Sequence, residues 1–149
     1  MNQKTIHNFI WAPILLIGLV SLAFGLVWVL HPEPWLLDQP ANEALLQTSF
    51  NELFSYDANQ FLPSYLIVIY RFFGLWLITI GLLVLSYVRV TKLGTKQARL
   101  SIHSTLFLTL ISMYYLIFKY LPTSPLIPTL YIFTLFLGLS IYFSSRISS

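Results

Sequence analysis

A chain of 149 residues that is 57% hydrophobic and only 9% charged carries more apolar surface than one small water-soluble core hides, which excludes an ordinary soluble domain. The absence of cysteine excludes disulfides and thiolate metal sites. The net charge of +3 is segregated along the chain and reads as a topology signal, so no nucleic-acid partner is expected.

Four apolar runs, approximately residues 8–30, 66–88, 100–119 and 125–145, are each long enough to cross a hydrocarbon layer. Such a layer is about 30 Å thick and needs about 20 helical residues. The runs are apolar on nearly every side, whereas transmembrane strands alternate in polarity. The expectation is an all-α integral membrane four-helix bundle, a single transmembrane domain over residues 1–149 with an outer loop over residues 31–62. The first run is too long for the core of a signal peptide and no small-residue cleavage pattern follows it, so it is expected to stay as an anchor.

Along the first run, Gly18 and Gly25 lie seven residues apart and share one helical face. Pro13 sits near its inner end, where proline is tolerated. The next segment, "HPEPWLLDQP", has three prolines in ten residues and predicts an extended exit from the membrane, with Trp35 as an interfacial anchor. His31, Glu33 and Asp38 in this segment match no metal-site spacing, and no metal is expected. Then "NEALLQTSFNELF" places Leu46, Phe50, Leu53 and Phe54 at amphipathic spacing. It predicts a short amphipathic helix capped by Asn42, acidic and therefore packed on its own protein or a neighbouring subunit rather than on anionic lipid.

The second run contains Arg71 within "IVIYRFFGLW". Seventeen uncharged residues separate it from Arg89, about 26 Å of helix, which puts Arg71 at the outer edge of the hydrocarbon. Gly74 and Gly81 repeat the seven-residue spacing of the first run. If the two helices meet at their glycines, Gly25 lies beside Gly74 and Gly18 beside Gly81, with Arg71 level with Trp28 and closest to Glu33, then Asp38. Arg71 reads as an anchor or as a binding charge. The apolar stretch ahead of it, residues 61–70, then needs a cover.

Polar stripes mark the third and fourth runs: Thr105, Thr109, Ser112 and Lys119 in one, and Tyr131, Thr134, Gly138, Tyr142 and Ser145 in the other. Thr134 with Gly138 is a small-residue pair suited to helix packing. The alternative use of these stripes is a cleft for lipid or quinone near Arg71 and Lys119. His103 is expected to hydrogen-bond a neighbouring helix. Ligation of haem, paired with His7, or of a pigment through His103 is the minor reading, and no cofactor is required. No hydrolase, nucleotide-binding or zinc-protease motif is present and every acid lies outside the runs, so neither enzyme nor stand-alone transporter is expected.

Lys4, Arg89, Lys92, Lys96, Arg99 and Arg146 fall on one side of a four-pass topology and all five acids on the other. Both termini are therefore expected in the cytoplasm and the acidic loop outside. "LLIGLVSLAFGLVWVLHP" and "YRFFGLWLITIGLLVLSYVRV" resemble the first two spans of the small DoxX-like four-pass membrane proteins. The resemblance implies a bundle in the bacterial inner (plasma) membrane, and it transfers no catalytic residue. The function expected is a non-catalytic accessory or structural subunit, with membrane lipids and other membrane subunits as partners.

Overall fold

The structure, a computed structural model, describes residues 2–147. Every regular element among them is helical: α1 (Gln3–Leu30), a 3-10 turn (Pro34–Asp38), α2 (Gln39–Leu46), α3 (Phe50–Ser55), a second 3-10 turn (Asp57–Asn59), α4 (Leu62–Thr91), α5 (Lys96–Tyr120) and α6 (Ile127–Ser144). Four of them, α1, α4, α5 and α6, are long and apolar enough to cross a membrane. With 28 and 30 residues, α1 and α4 measure about 42 and 45 Å, more than a hydrocarbon layer of about 30 Å contains, so both project beyond one.

Helix ends follow local chemistry. Asn2 caps α1 by accepting from the Lys4 N–H, and Thr95 caps α5 by accepting from the Ala98 N–H. At the far end, Pro32 forces His31 into extended backbone and stops α1. Because α1 already starts at Gln3, Pro13 lies inside the helix rather than near its end. The α4–α5 turn is tighter than glycine placement suggests. Lys92 and Leu93 take left-handed φ of 48° and 52°, while Gly94 does not. Such residues each cost about 1–3 kcal/mol and need fixing from outside. Leu93 is fully buried, and Arg99 Nη1 donates to the carbonyls of both Leu93 and Gly94, at 3.2 and 3.1 Å.

α1 is central, packed along α4 on one side and α6 on the other, while α5 packs on α6. The α1–α4 seam is made by glycine. A Cβ on Gly25 would stand 2.6 Å from the Gly74 carbonyl oxygen, and one on Gly81 would stand 2.7 Å from the Leu22 nitrogen. Gly18 lies against Gly81 in the same seam. At such separations only backbones without side chains fit, and contact replaces the hydrophobic drive that lipid removes. Ile10, Ile14, Val84, Val88, Leu93 and Leu106 belong to the core that fills the rest.

The loop end departs from expectation in three places. The segment after α1 is not extended, because Pro34 starts the 3-10 turn and Pro40 occupies the first turn of α2, where a missing N–H costs nothing. The amphipathic stretch is two helices rather than one. Gln47 turns left-handed at φ 57°, Asn42 lies inside α2, and Ser49 is the N-cap of α3, accepting from the Glu52 N–H at 3.1 Å. Glu43 holds the corner by accepting from Gln39 Nε2 and the Phe50 N–H, and these hydrogen bonds keep its carboxyl below the usual range. Trp35 is not an interfacial anchor: it is 4% exposed, closed over by Phe50 and Phe54.

Candidate functional site

The end of the molecule that carries the start of α1, the α4–α5 turn and the end of α6 gathers three buried polar side chains, Arg99, His103 and Ser140. Phe9 stacks on Phe143, and Lys92 lies over the Trp11 ring, so these segments converge there. At their centre Ser140, fully buried on α6, donates to the Ile10 carbonyl of α1 at 2.6 Å. His103 Nε2 of α5 lies 2.8 Å from the same hydroxyl. A serine hydroxyl has one proton, already given to Ile10, so His103 donates through Nε2–H. Three helices are thereby tied through one oxygen.

Arg99 stands one turn before His103, 6% exposed. Its Nη1 is engaged by the turn carbonyls, and its Nη2 and Nε have no hydrogen-bond partner among the described residues. Lys96, one turn earlier, is exposed on the same face. Together with Ile141, Ser144 and Ser145 of α6, these three basic side chains line a cavity of about 360 Å³. Every Asp and Glu of the chain lies between positions 33 and 57, in the loop at the opposite end, so no Asp or Glu side chain neutralises the cavity. An arrangement of this kind attracts anions.

The other residues singled out by sequence are dispersed. Arg71 is exposed on α4 and pairs with neither Glu33 nor Asp38. Glu33 is exposed, its N–H donating to His31 Nδ1, while Asp38 is buried and accepts from Ser124 Oγ at 3.1 Å. Burial pushes the Asp38 carboxyl above its usual range, with the Ser124 hydrogen bond pulling the other way. Lys119 bonds the Tyr115 hydroxyl and lies over the rings of Tyr115 and Tyr120. Trp28 is 3% exposed, packed against Phe24 and Phe73, and its buried indole N–H has no partner among the described residues. A cavity of about 50 Å³ does lie among the loop-end halves of α1, α4, α5 and α6, lined by Phe24, Phe73 and Met113, but neither Arg71 nor Lys119 reaches it. Among the described residues no three His, Asp or Glu side chains gather as metal ligands.

The polar stripes of α5 and α6 face outward. Thr105, Thr109, Ser112, Tyr131, Gly138, Tyr142 and Ser145 are all exposed, and a Cβ on Gly138 would meet nothing within 4 Å, so Gly138 is not a packing glycine. Each threonine or serine satisfies its hydroxyl on a carbonyl of its own helix, which removes the need for a partner. Thr134 alone reaches across, to the Tyr114 hydroxyl at 2.9 Å. Ser140, the residue that ties the helices together, lies off that stripe. The signal for it was its three-residue step from Leu137, which together with Leu130 marks the buried face of α6. No family model, curated protein or solved structure matches this chain.

Proposed function

We propose that the protein is a membrane-integrated four-helix bundle acting as a non-catalytic accessory subunit, docked on its partner through the outer half of α4. Phe61, Tyr65, Val68, Ile69, Phe72 and Trp76 form one exposed apolar stripe beside the exposed Arg71. This stripe carries the reading. If lipid covered it to its top, Arg71 would lie in hydrocarbon, where an arginine costs up to about 2.5–3.5 kcal/mol. If Arg71 marks the membrane boundary, two turns of aromatic and aliphatic surface stand in water. A neighbouring subunit that covers the stripe and faces the guanidinium with an acceptor removes both penalties. The folded loop leaves this surface open, since α2 and α3 enclose Trp35 instead.

The cations around the α4–α5 turn and both chain ends support cytoplasmic termini, with the acidic loop outside. The glycine seam is the part of the chain that resembles DoxX-like proteins, in keeping with a bacterial inner-membrane protein. Binding of lipid or quinone near Arg71 and Lys119 has less support, because ligand pockets run to about 300–1,000 Å³ and the cavity nearest that region is about 50 Å³.

The chain has no cysteine, which allows a clean crosslinking test. With a thiol crosslinker, Val68→Cys should capture one protein in membranes, while Leu108→Cys, on an exposed face of α5, should not. Equal, diffuse labelling from both positions would overturn the subunit reading.

A further inference from the structure

The cavity at the terminal end does not stand alone. Ile141 is shared with a second cavity of about 210 Å³ along the α5–α6 surface, lined by Phe107, Ile111, Tyr114, Leu137 and Gly138 and almost wholly apolar. Gly138 keeps this channel open, since no atom lies within 4 Å of where its Cβ would stand. From Arg99 to Tyr114 is about 22 Å of helix, somewhat more than one leaflet of a hydrocarbon layer about 30 Å thick. A basic, partly enclosed head and an apolar groove thus meet at Ile141, and the two together reach the length of an acyl chain.

We propose that this composite site binds one anionic phospholipid, with its phosphate between Lys96 and Arg99 and one acyl chain along the α5–α6 groove past Gly138. The proposal rests on the membrane placement above but not on the subunit role. Lys96, Arg99 and His103 repeat at helical spacing on one face of α5 and meet Ser144, a hydroxyl donor to a phosphate, from α6. Arg99 is more than nine-tenths buried, oriented by two carbonyls, and retains N–H groups with no protein partner. The first-turn N–H groups of α5 add positive potential on the same side. Basic pockets between transmembrane helices on the cytoplasmic side are where anionic headgroups are held.

The test uses the full chain reconstituted into phosphatidylcholine bilayers containing a minority of phosphatidylglycerol, released intact for mass measurement. One phosphatidylglycerol should remain bound in preference to phosphatidylcholine. Lys96→Gln, exposed and outside the core, should cut that preference about five-fold, the factor expected for one basic residue near anionic lipid. Gly138→Leu should fill the groove and lower retention of the lipid with helical content unchanged. Equal retention of both lipids, or an unchanged preference in Lys96→Gln, would overturn the proposal. Displacement of the lipid by inorganic phosphate, with Gly138→Leu without effect, would also overturn it by making the occupant a soluble phosphate. Loss of the wild-type chain from the bilayer on alkaline carbonate washing would instead refute the membrane placement, which separates the two failures.

Discussion

His103 on α5 and Ser140 on α6 are 37 residues apart in the chain and 2.8 Å apart in the fold, and the hydroxyl between them closes on the Ile10 carbonyl of α1. A single buried oxygen thus sets the relative height of three helices. Polar contacts inside a bundle select among sliding registers that uniform apolar packing leaves nearly equal in energy.

Removing that oxygen leaves the Nε2–H of His103 and a lone pair of the Ile10 carbonyl without their partner. Ser140→Ala should cost about 1–3 kcal/mol, read as a lowered Tm in detergent. The exposed Ser112→Ala, which removes only a bond within its own helix, should leave the Tm within error.

Glycines of this chain divide into two kinds. Gly25→Ala drives a Cβ to 2.6 Å from backbone atoms of α4 that cannot step aside, and overpacking of this kind costs about 1–3 kcal/mol or more. Gly138→Ala places its methyl in open space and should be neutral or stabilise by up to about 1 kcal/mol, the helix-propensity difference. Equal losses from the two variants would refute the seam.

Asp38 makes stability pH-dependent in a direction opposite to most carboxylates. Its carboxyl, raised by burial, binds a proton more tightly folded than unfolded, so this contribution is full below 3.8, the ordinary value. It is lost as pH rises through the raised folded value, and it is flat above that. Asp38→Asn keeps an acceptor for Ser124 and abolishes the charge. The variant should therefore match wild type in acid and exceed its Tm at neutral pH. Glu43, held below its ordinary 4.5, contributes with the opposite sign, gaining as pH climbs towards 4.5. The Asp38 signal is accordingly the difference between the two proteins across one titration.

Trp28 buries an indole N–H that has no partner among the described residues, and such a group costs about 1–3 kcal/mol. Trp28→Phe sheds that cost along with part of the ring, keeps the aromatic contact with Phe73, and should change the Tm little. Trp28→Ala opens a cavity beside Gly74 and should cost about 3–5 kcal/mol. Thermal unfolding of both variants checks the contrast.

Sequence by itself determined the helical class, the four helices long and apolar enough to cross a membrane, and the glycine faces of α1 and α4. Hydrocarbon-length runs admit only helices here, and a residue without a side chain marks where backbones approach whatever else is present. The positions of Gly18, Gly25, Gly74 and Gly81 also set the α1–α4 register, because two pairs with equal spacing align in only one way. Three things were decided only by the tertiary structure. The hydroxyl stripes of α5 and α6 suit either a neighbour or their own carbonyls, and the second outcome turned them outward. Ser49 with Glu52 is a helix-start pattern that amphipathic spacing overrode, so one helix was expected where Gln47 breaks the chain in two. The meeting of Ser140, His103 and Arg99 depends on how α5 and α6 are rotated about their axes. Local periodicity does not encode that rotation when nearly every face of a helix is apolar.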